Sequence, residues 1–252
     1  MIRFDQTDII LVTGASSGIG KAVALRINEL GGRIIAVSRS RGALEAMRNC
    51  TRHPENVILE TRDLAKDLDD LPSWTTDLAG RHGRLKGLVL SAGEQQILPL
   101  KALTLKKAKD LFDLNYFANV ALCKGFCDKR ANAGPGSAIV FISSIASLLG
   151  APGIGNYSAS KGAVNAFVKS LAAEMARDRI RVNAVLPGFV KTELIKKWAD
   201  IYTEQYIADL DKKYPLGIGH PEYISALVVF LLSPSAEWIT GTSVVIDGGA
   251  TL

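Results

Sequence analysis

The chain has 252 residues, 48% of them apolar and 22% charged, an ordinary globular balance that excludes a disordered or disulfide-stapled protein. Its net charge of +5 comes from 30 basic and 25 acidic residues. These form no basic stripe interleaved with aromatics, which argues against a nucleic-acid partner and suits an anionic cofactor.

Cys50, Cys123 and Cys127 form no metal-ligand pattern, so no metal is expected. Residues 1–14 lack the apolar region of a signal peptide, and no apolar run approaches the roughly 20 residues of a membrane span. The expectation is one cytoplasmic domain over residues 1–252, with no membrane partner.

The first strand, residues 9–13, runs into Thr13-Gly14-Ala15-Ser16-Ser17-Gly18-Ile19-Gly20 and then a helix over 20–30. Glycines here permit a tight turn and let N–H groups approach a pyrophosphate at a helix amino terminus. Ser16 and Ser17 add hydroxyls.

The second strand, 33–38, ends in Ser38-Arg39, where an NAD-preferring fold carries a carboxylate for the ribose 2′-OH. A guanidinium binds phosphate in bidentate fashion, so Arg39, with Arg41 as a helper, points to NADP(H). The third strand, 57–62, leads to Asp63-Leu64 beside the expected adenine, with Asp63 accepting from its amine.

The fourth strand, 87–91, opens into Ala92-Gly93 and the polar Glu94, Gln95 and Gln96. Those three read either as a surface loop or as a pocket wall for a hydroxylated substrate such as a sugar derivative. A helix follows over 103–127, with Cys123 and Cys127 one turn apart in an apolar, packing stretch. Asn115 lies mid-helix; it is a mediocre helix former whose amide can anchor a water beside a broken backbone bond.

The fifth strand, 138–143, ends at Ser143-Ser144, the end of an open α/β sheet where ligands bind. Either hydroxyl could hold a substrate carbonyl, and the spacing to Tyr157 favours Ser144. The helix over 157–177 begins Tyr157-Ser158-Ala159-Ser160-Lys161, with tyrosine and lysine on one face. An ammonium beside a phenol of pKa about 10 lowers that value by about one to three units, suiting it to proton transfer.

A sixth strand covers 181–187 and a seventh 243–246. Between them, residues 192–221 exceed what a βα connection needs, reading as a lid over the substrate or as a surface helix pair. Near-continuously apolar strands alternating with helices predict an α/β Rossmann fold, a doubly wound parallel sheet of seven strands flanked by helices.

These features together resemble the short-chain dehydrogenase/reductase family over nearly the whole chain. The shared motifs are the Thr13–Gly20 loop, Asp63, Ala92-Gly93, Asn115, Ser144, Tyr157 with Lys161, Pro187-Gly188 with Thr192, and Asp247-Gly248-Gly249. The resemblance implies a catalytic tetrad of Asn115, Ser144, Tyr157 and Lys161. In it Tyr157 is the acid/base, Ser144 positions the carbonyl, Lys161 lowers the tyrosine pKa and binds ribose, and Asn115 holds a relay water.

It also implies cofactor contacts from Gly14, Ser16, Ser17, Gly18, Ile19, Gly20, Ser38, Arg39, Asp63, Leu64, Ala92, Gly93, Tyr157 and Lys161, with Pro187, Gly188, Val190 and Thr192 around the nicotinamide. A homo-oligomer, a tetramer, is implied as well. Two departures stand out. Leu90-Ser91-Ala92-Gly93 replaces the usual Asn-Asn-Ala-Gly, which predicts a changed central sheet, and the 215–220 turn lacks the family's frequent arginine.

The expected activity is NADPH-dependent reduction of a small-molecule carbonyl, in a pocket including Leu149, Phe189 and residues 195–206. The alternatives are NAD(P)-dependent oxidation of a secondary alcohol or sugar hydroxyl, and NADP binding without turnover. A carrier protein meeting Lys129, Arg130, Arg177 and Arg179 is disfavoured by the intervening Asp178.

Overall fold

The computed structural model describes residues 2–193 and 203–252. Seven strands form the sheet: β1 (Ile9–Thr13), β2 (Arg33–Ser38), β3 (Val57–Thr61), β4 (Leu85–Leu90), β5 (Ala138–Ile142), β6 (Arg181–Pro187) and β7 (Ser243–Ile246). They pair in parallel in the order β3-β2-β1-β4-β5-β6-β7.

Every residue of β1, β5 and β6 is buried, which is why these strands read as unbroken apolar runs. Their side chains alternate between two cores. Ile9, Leu11 and Ile35 face one, while Ile10, Val12 and Ile34 face the other.

The helices are α1 (Gly18–Glu29), α2 (Arg41–Arg48), α3 (Leu71–His82), α4 (Leu105–Phe112), α5 (Ala118–Phe126), α6 (Gly155–Met175), α7 (Glu204–Lys213) and α8 (Pro221–Leu232). Leu78, Leu122, Phe126 and Val168 place α3, α5 and α6 in the first core. Val23, Ile27, Leu44, Val228 and Leu232 place α1, α2 and α8 in the second, with α1 packed along α8.

Local chemistry sets several boundaries. Ser40 accepts from the Ala43 N–H to start α2, and Thr104 accepts from the Lys107 N–H to start α4. Buried Arg181 donates to the carbonyls of Leu231, Leu232 and Ser233, closing the carboxyl end of α8.

Several expected bounds move by one or two residues, and two shifts matter most. Strand β4 starts at Leu85, because Leu85 is buried and Lys86 carries its ammonium out to the Pro135 carbonyl at 3.4 Å. The single helix expected over 103–127 is instead α4, a π-helical turn over Asp113–Phe117, and α5. A π turn inserts one residue and re-aims the side chains around it.

The strand order turns outward in opposite directions from β1 and β4, leaving a crevice beyond their carboxyl ends. Despite the Leu90-Ser91 departure, those ends stay joined. Thr13 Oγ1 donates to the Val89 carbonyl at 3.3 Å and accepts from the Ser91 and Ala92 N–H groups, each at 3.0 Å.

Candidate active site

The crevice opens into a cleft of about 880 Å³. At its floor, Gly14 has φ +66° and lies against Ala92, where an added Cβ would come within 3.0 Å of the Ala92 backbone. A Cβ on Gly20 would lie 2.3 Å from the Gly14 carbonyl oxygen. The loop is therefore closed so tightly that only glycine fits, leaving a cradle of backbone at the start of α1. Ser16, Ser17, Gly18 and Ile19 line it.

That cradle already accepts an anion from the chain itself. The Gly18 N–H donates to Glu193 Oε2 at 2.9 Å. Motif reading passed over Glu193, which stands directly after Thr192.

At the β2 end of the cleft, Ser38, Arg39, Asp63 and Leu64 form the wall. Arg39 Nη2 lies 3.6 Å from Glu94 Oε1, with both side chains substantially exposed. One Asp63 oxygen accepts from the Ala65 N–H at 3.1 Å. Arg41 is absent from the cleft lining, because Glu45 and the Leu59 carbonyl, each at 3.0 Å, hold its guanidinium.

Ser144, Tyr157 and Lys161 all line the cleft, Ser144 just past the end of β5 and the other two in the first turns of α6. Lys161 Nζ lies 5.8 Å from the Tyr157 ring centroid and donates to the Ile142 carbonyl at 2.9 Å. Burial pushes the lysine pKa down to about 8, since a charge removed from water favours its neutral form.

The two serines have separated roles in space. Ser143 is buried and donates to the Lys161 carbonyl at 3.2 Å. Ser144 Oγ accepts from the Ala146 N–H at 3.1 Å, which leaves its own proton to donate into the cleft.

Asn115 sits in the π turn, fully buried and outside the cleft lining, behind Gly93. Its amide donates to the Glu94 carbonyl at 2.9 Å and to Ser160 Oγ at 3.2 Å, and its backbone carbonyl accepts from Asn119 at 2.8 Å. Both amide protons are thus engaged by protein. A water held at Asn115 would therefore meet one of its oxygens.

Pro187, Gly188, Val190 and Thr192 line the far end, and Ala92 and Gly93 the near wall. Beyond them Ile97, Leu149, Ile154, Phe189 and Leu210 make an apolar wall, with Tyr206 and Tyr214 among them. Tyr214 accepts from the Phe189 N–H at 3.0 Å, and burial raises its pKa.

Gln95 lines this region, but Gln96 does not; its oxygen accepts from Asn156 Nδ2 at 2.9 Å. Of the segment read as a lid, residues 194–202 lie outside the described residues, while α7 contributes Tyr206 and Leu210.

The cysteines are unpaired: Cys123 is buried, Cys127 half-buried with its pKa raised to about 11 by burial, and Cys50 exposed. Among the described residues, no helix is long and apolar enough to cross a membrane.

Residues 14–251 match a family described as enoyl-(acyl carrier protein) reductase. The chain is 33% identical to a 3-oxoacyl-[acyl-carrier-protein] reductase of Rickettsia prowazekii, over 95% of each protein. It is also 33% identical to a glucose 1-dehydrogenase of Gluconobacter oxydans, over 96% of this chain and 91% of that one.

Among solved structures, a short-chain dehydrogenase/reductase of Brucella melitensis, described as a glucose/ribitol dehydrogenase, superposes with a TM-score of 0.89. It covers all of both chains at 27% identity.

Proposed function

The chain belongs to the short-chain dehydrogenase/reductase family and is an oxidoreductase acting on a CH–OH/carbonyl pair, and from that premise we propose that it reduces ketones with an apolar body at the expense of NADPH. The observation that carries this reading is that Ser144, Tyr157 and buried Lys161 line one cleft, with Lys161 Nζ 5.8 Å from the Tyr157 ring centroid.

The pyrophosphate would lie on the α1 amino terminus, the 2′-phosphate on Arg39 and the adenine by Asp63 and Leu64. Lys161 would take the nicotinamide ribose, and Pro187, Gly188, Val190 and Thr192 the ring. The glycine cradle fits such a group, because a single Cβ would fill it. When bound, NADPH supplies the hydride that reaches the carbonyl carbon.

The chain's own part is the proton. Ser144 donates to the carbonyl oxygen and fixes it beside Tyr157, and Tyr157 gives that oxygen its proton, leaving an alcohol. The Lys161 ammonium favours the phenolate so produced and makes the phenol a better acid.

The apolar wall supports a substrate with a hydrocarbon body. Of the polar residues that suggested a sugar, Gln96 lies outside the cleft, bonded to Asn156, and Glu94 faces Arg39 at the cofactor end of it. Trp238, 97% exposed, and the edge strand β7 support assembly into a homotetramer.

Initial rates of NADPH and NADH oxidation against apolar ketones, ketosugars and β-ketoacyl thioesters test the reading. NADPH-selective turnover of apolar ketones is expected, and loss of about 10³-fold in Tyr157→Phe with cofactor binding intact. Turnover confined to sugars, or equal rates with NADH, would overturn it.

A further inference from the structure

Two carboxylates occupy the cleft at the two places where the proposed cofactor carries phosphate. Glu193 Oε2 accepts from the Gly18 N–H at 2.9 Å. Thr192 lies over the same loop, close enough that a Cβ on Gly18 would come within 3.4 Å of its methyl group. At the other end, Glu94 Oε1 faces the Arg39 guanidinium at 3.6 Å.

Neither contact is needed to hold the fold. Both pairs are solvent-exposed, and the backbone of Glu94 is already fixed by Asn115. Both have the geometry of an internal anion standing on a cationic or N–H donor group.

We propose that Glu193 and Glu94 act as internal placeholders, so that the dinucleotide binds by exchanging its phosphates for these carboxylates. The inference rests on the NADP(H) reading of the cleft. Its logic is competition: a site filled part of the time by a tethered anion shows an apparent Kd raised by the inverse of its free fraction.

The two carboxylates weigh differently on the two cofactors. The pyrophosphate is common to NADPH and NADH, so Glu193 opposes both alike. Only NADPH carries the 2′-phosphate, so Glu94 opposes NADPH alone and lowers the discrimination that Arg39 provides. Glu94 is thereby a brake on cofactor choice, set beside the residue that makes the choice.

Fluorescence titration with NADPH and NADH at about 0.15 M ionic strength, where exposed charges are screened as in a cell, tests this. Glu193→Ala should tighten both cofactors to a similar degree, about three- to tenfold, the size of a charge-assisted bond to an N–H. Glu94→Gln should tighten NADPH about two- to fivefold, the size of an exposed ion pair, and leave NADH unchanged. Most of that gain should vanish in an Arg39→Ala background.

Unchanged or weaker binding in Glu193→Ala, or an equal effect of Glu94→Gln on both cofactors, would overturn the inference while leaving the cofactor reading in place. So would a full Glu94→Gln gain without Arg39. Wild-type protein that binds neither dinucleotide would overturn the cofactor reading, and the placeholder role with it.

Discussion

Asn115 and Glu94 close a two-bond ring: the Asn115 amide donates to the Glu94 carbonyl, and the Glu94 N–H donates back to Asn115 Oδ1, both at 2.9 Å. The π turn is thereby fastened to the chain leaving β4, and through Ser160 to α6. Asn115→Ala removes both bonds of this ring and the bond to Ser160. A loss of about 2–3 kcal/mol is expected, with kcat reduced at least about tenfold as the Gly93 wall and Lys161 lose their common support. Thermal melts and steady-state rates on the same preparation check both.

Ser143 and Ser144 are neighbours with opposite expected phenotypes. Ser143→Ala deletes a buried hydrogen bond to the Lys161 carbonyl, so stability should fall by about 1 kcal/mol with kcat nearly unchanged. Ser144→Ala leaves the substrate oxygen without its donor, and kcat should fall by about 10²-fold with little change in melting temperature. The reverse pattern would reassign the carbonyl-holding role to Ser143.

Lys161 sets a pH dependence whose sign can be worked out. Burial lowers its pKa from 10.5 to about 8. Between those values the unfolded chain binds more protons, so stability rises with pH across that window. Below it the buried charge is a constant penalty of about 3 kcal/mol. Lys161→Met removes that penalty but leaves the Ile142 carbonyl without its donor. The variant should therefore melt a few degrees above the parent at pH 7, the gap closing by about pH 10, while turnover is lost. In the parent, kcat/KM for reduction should decline as pH rises through about 8, when the ammonium beside Tyr157 discharges.

Gly20→Ala would force a methyl group to within 2.3 Å of the Gly14 carbonyl oxygen. The loop must open to admit it, so dinucleotide affinity should fall by at least about tenfold for both cofactors, because the cradle is lost and not the 2′-phosphate contact. Titration calorimetry with each cofactor measures this directly.

The sheet was legible because strands covered on both faces leave continuous apolar runs, and those of β1, β2, β6 and β7 are bounded as read. The interruption at Asp113–Phe117 was not. A π turn keeps the apolar face of a helix and changes only its phase, so the run from 103 to 127 carries no breaker; Asn115, a poor mid-helix residue, was its one trace. The positions lining the cleft follow from motif spacing, whereas the Arg39–Glu94 and Gly18–Glu193 contacts join chain ends brought together only by the strand order. Gln96 looked like a pocket residue because its loop is polar, and it faces Asn156 because the loop folds back there, with the Leu98 N–H donating to the Gly153 carbonyl at 2.7 Å.

The packing of α1 along α8 ties the order of synthesis to solubility. As the chain leaves the ribosome, Val23, Ala24 and Ile27 emerge long before Val228, Val229 and Leu232, which complete the same core. Until α8 is made, Ile10, Val12, Val89 and Val140 on that face of the sheet lack part of their cover. A premature stop between β6 and residue 232 therefore yields not a shortened enzyme but a nascent sheet with one adhesive face, a substrate for chaperones or for aggregation.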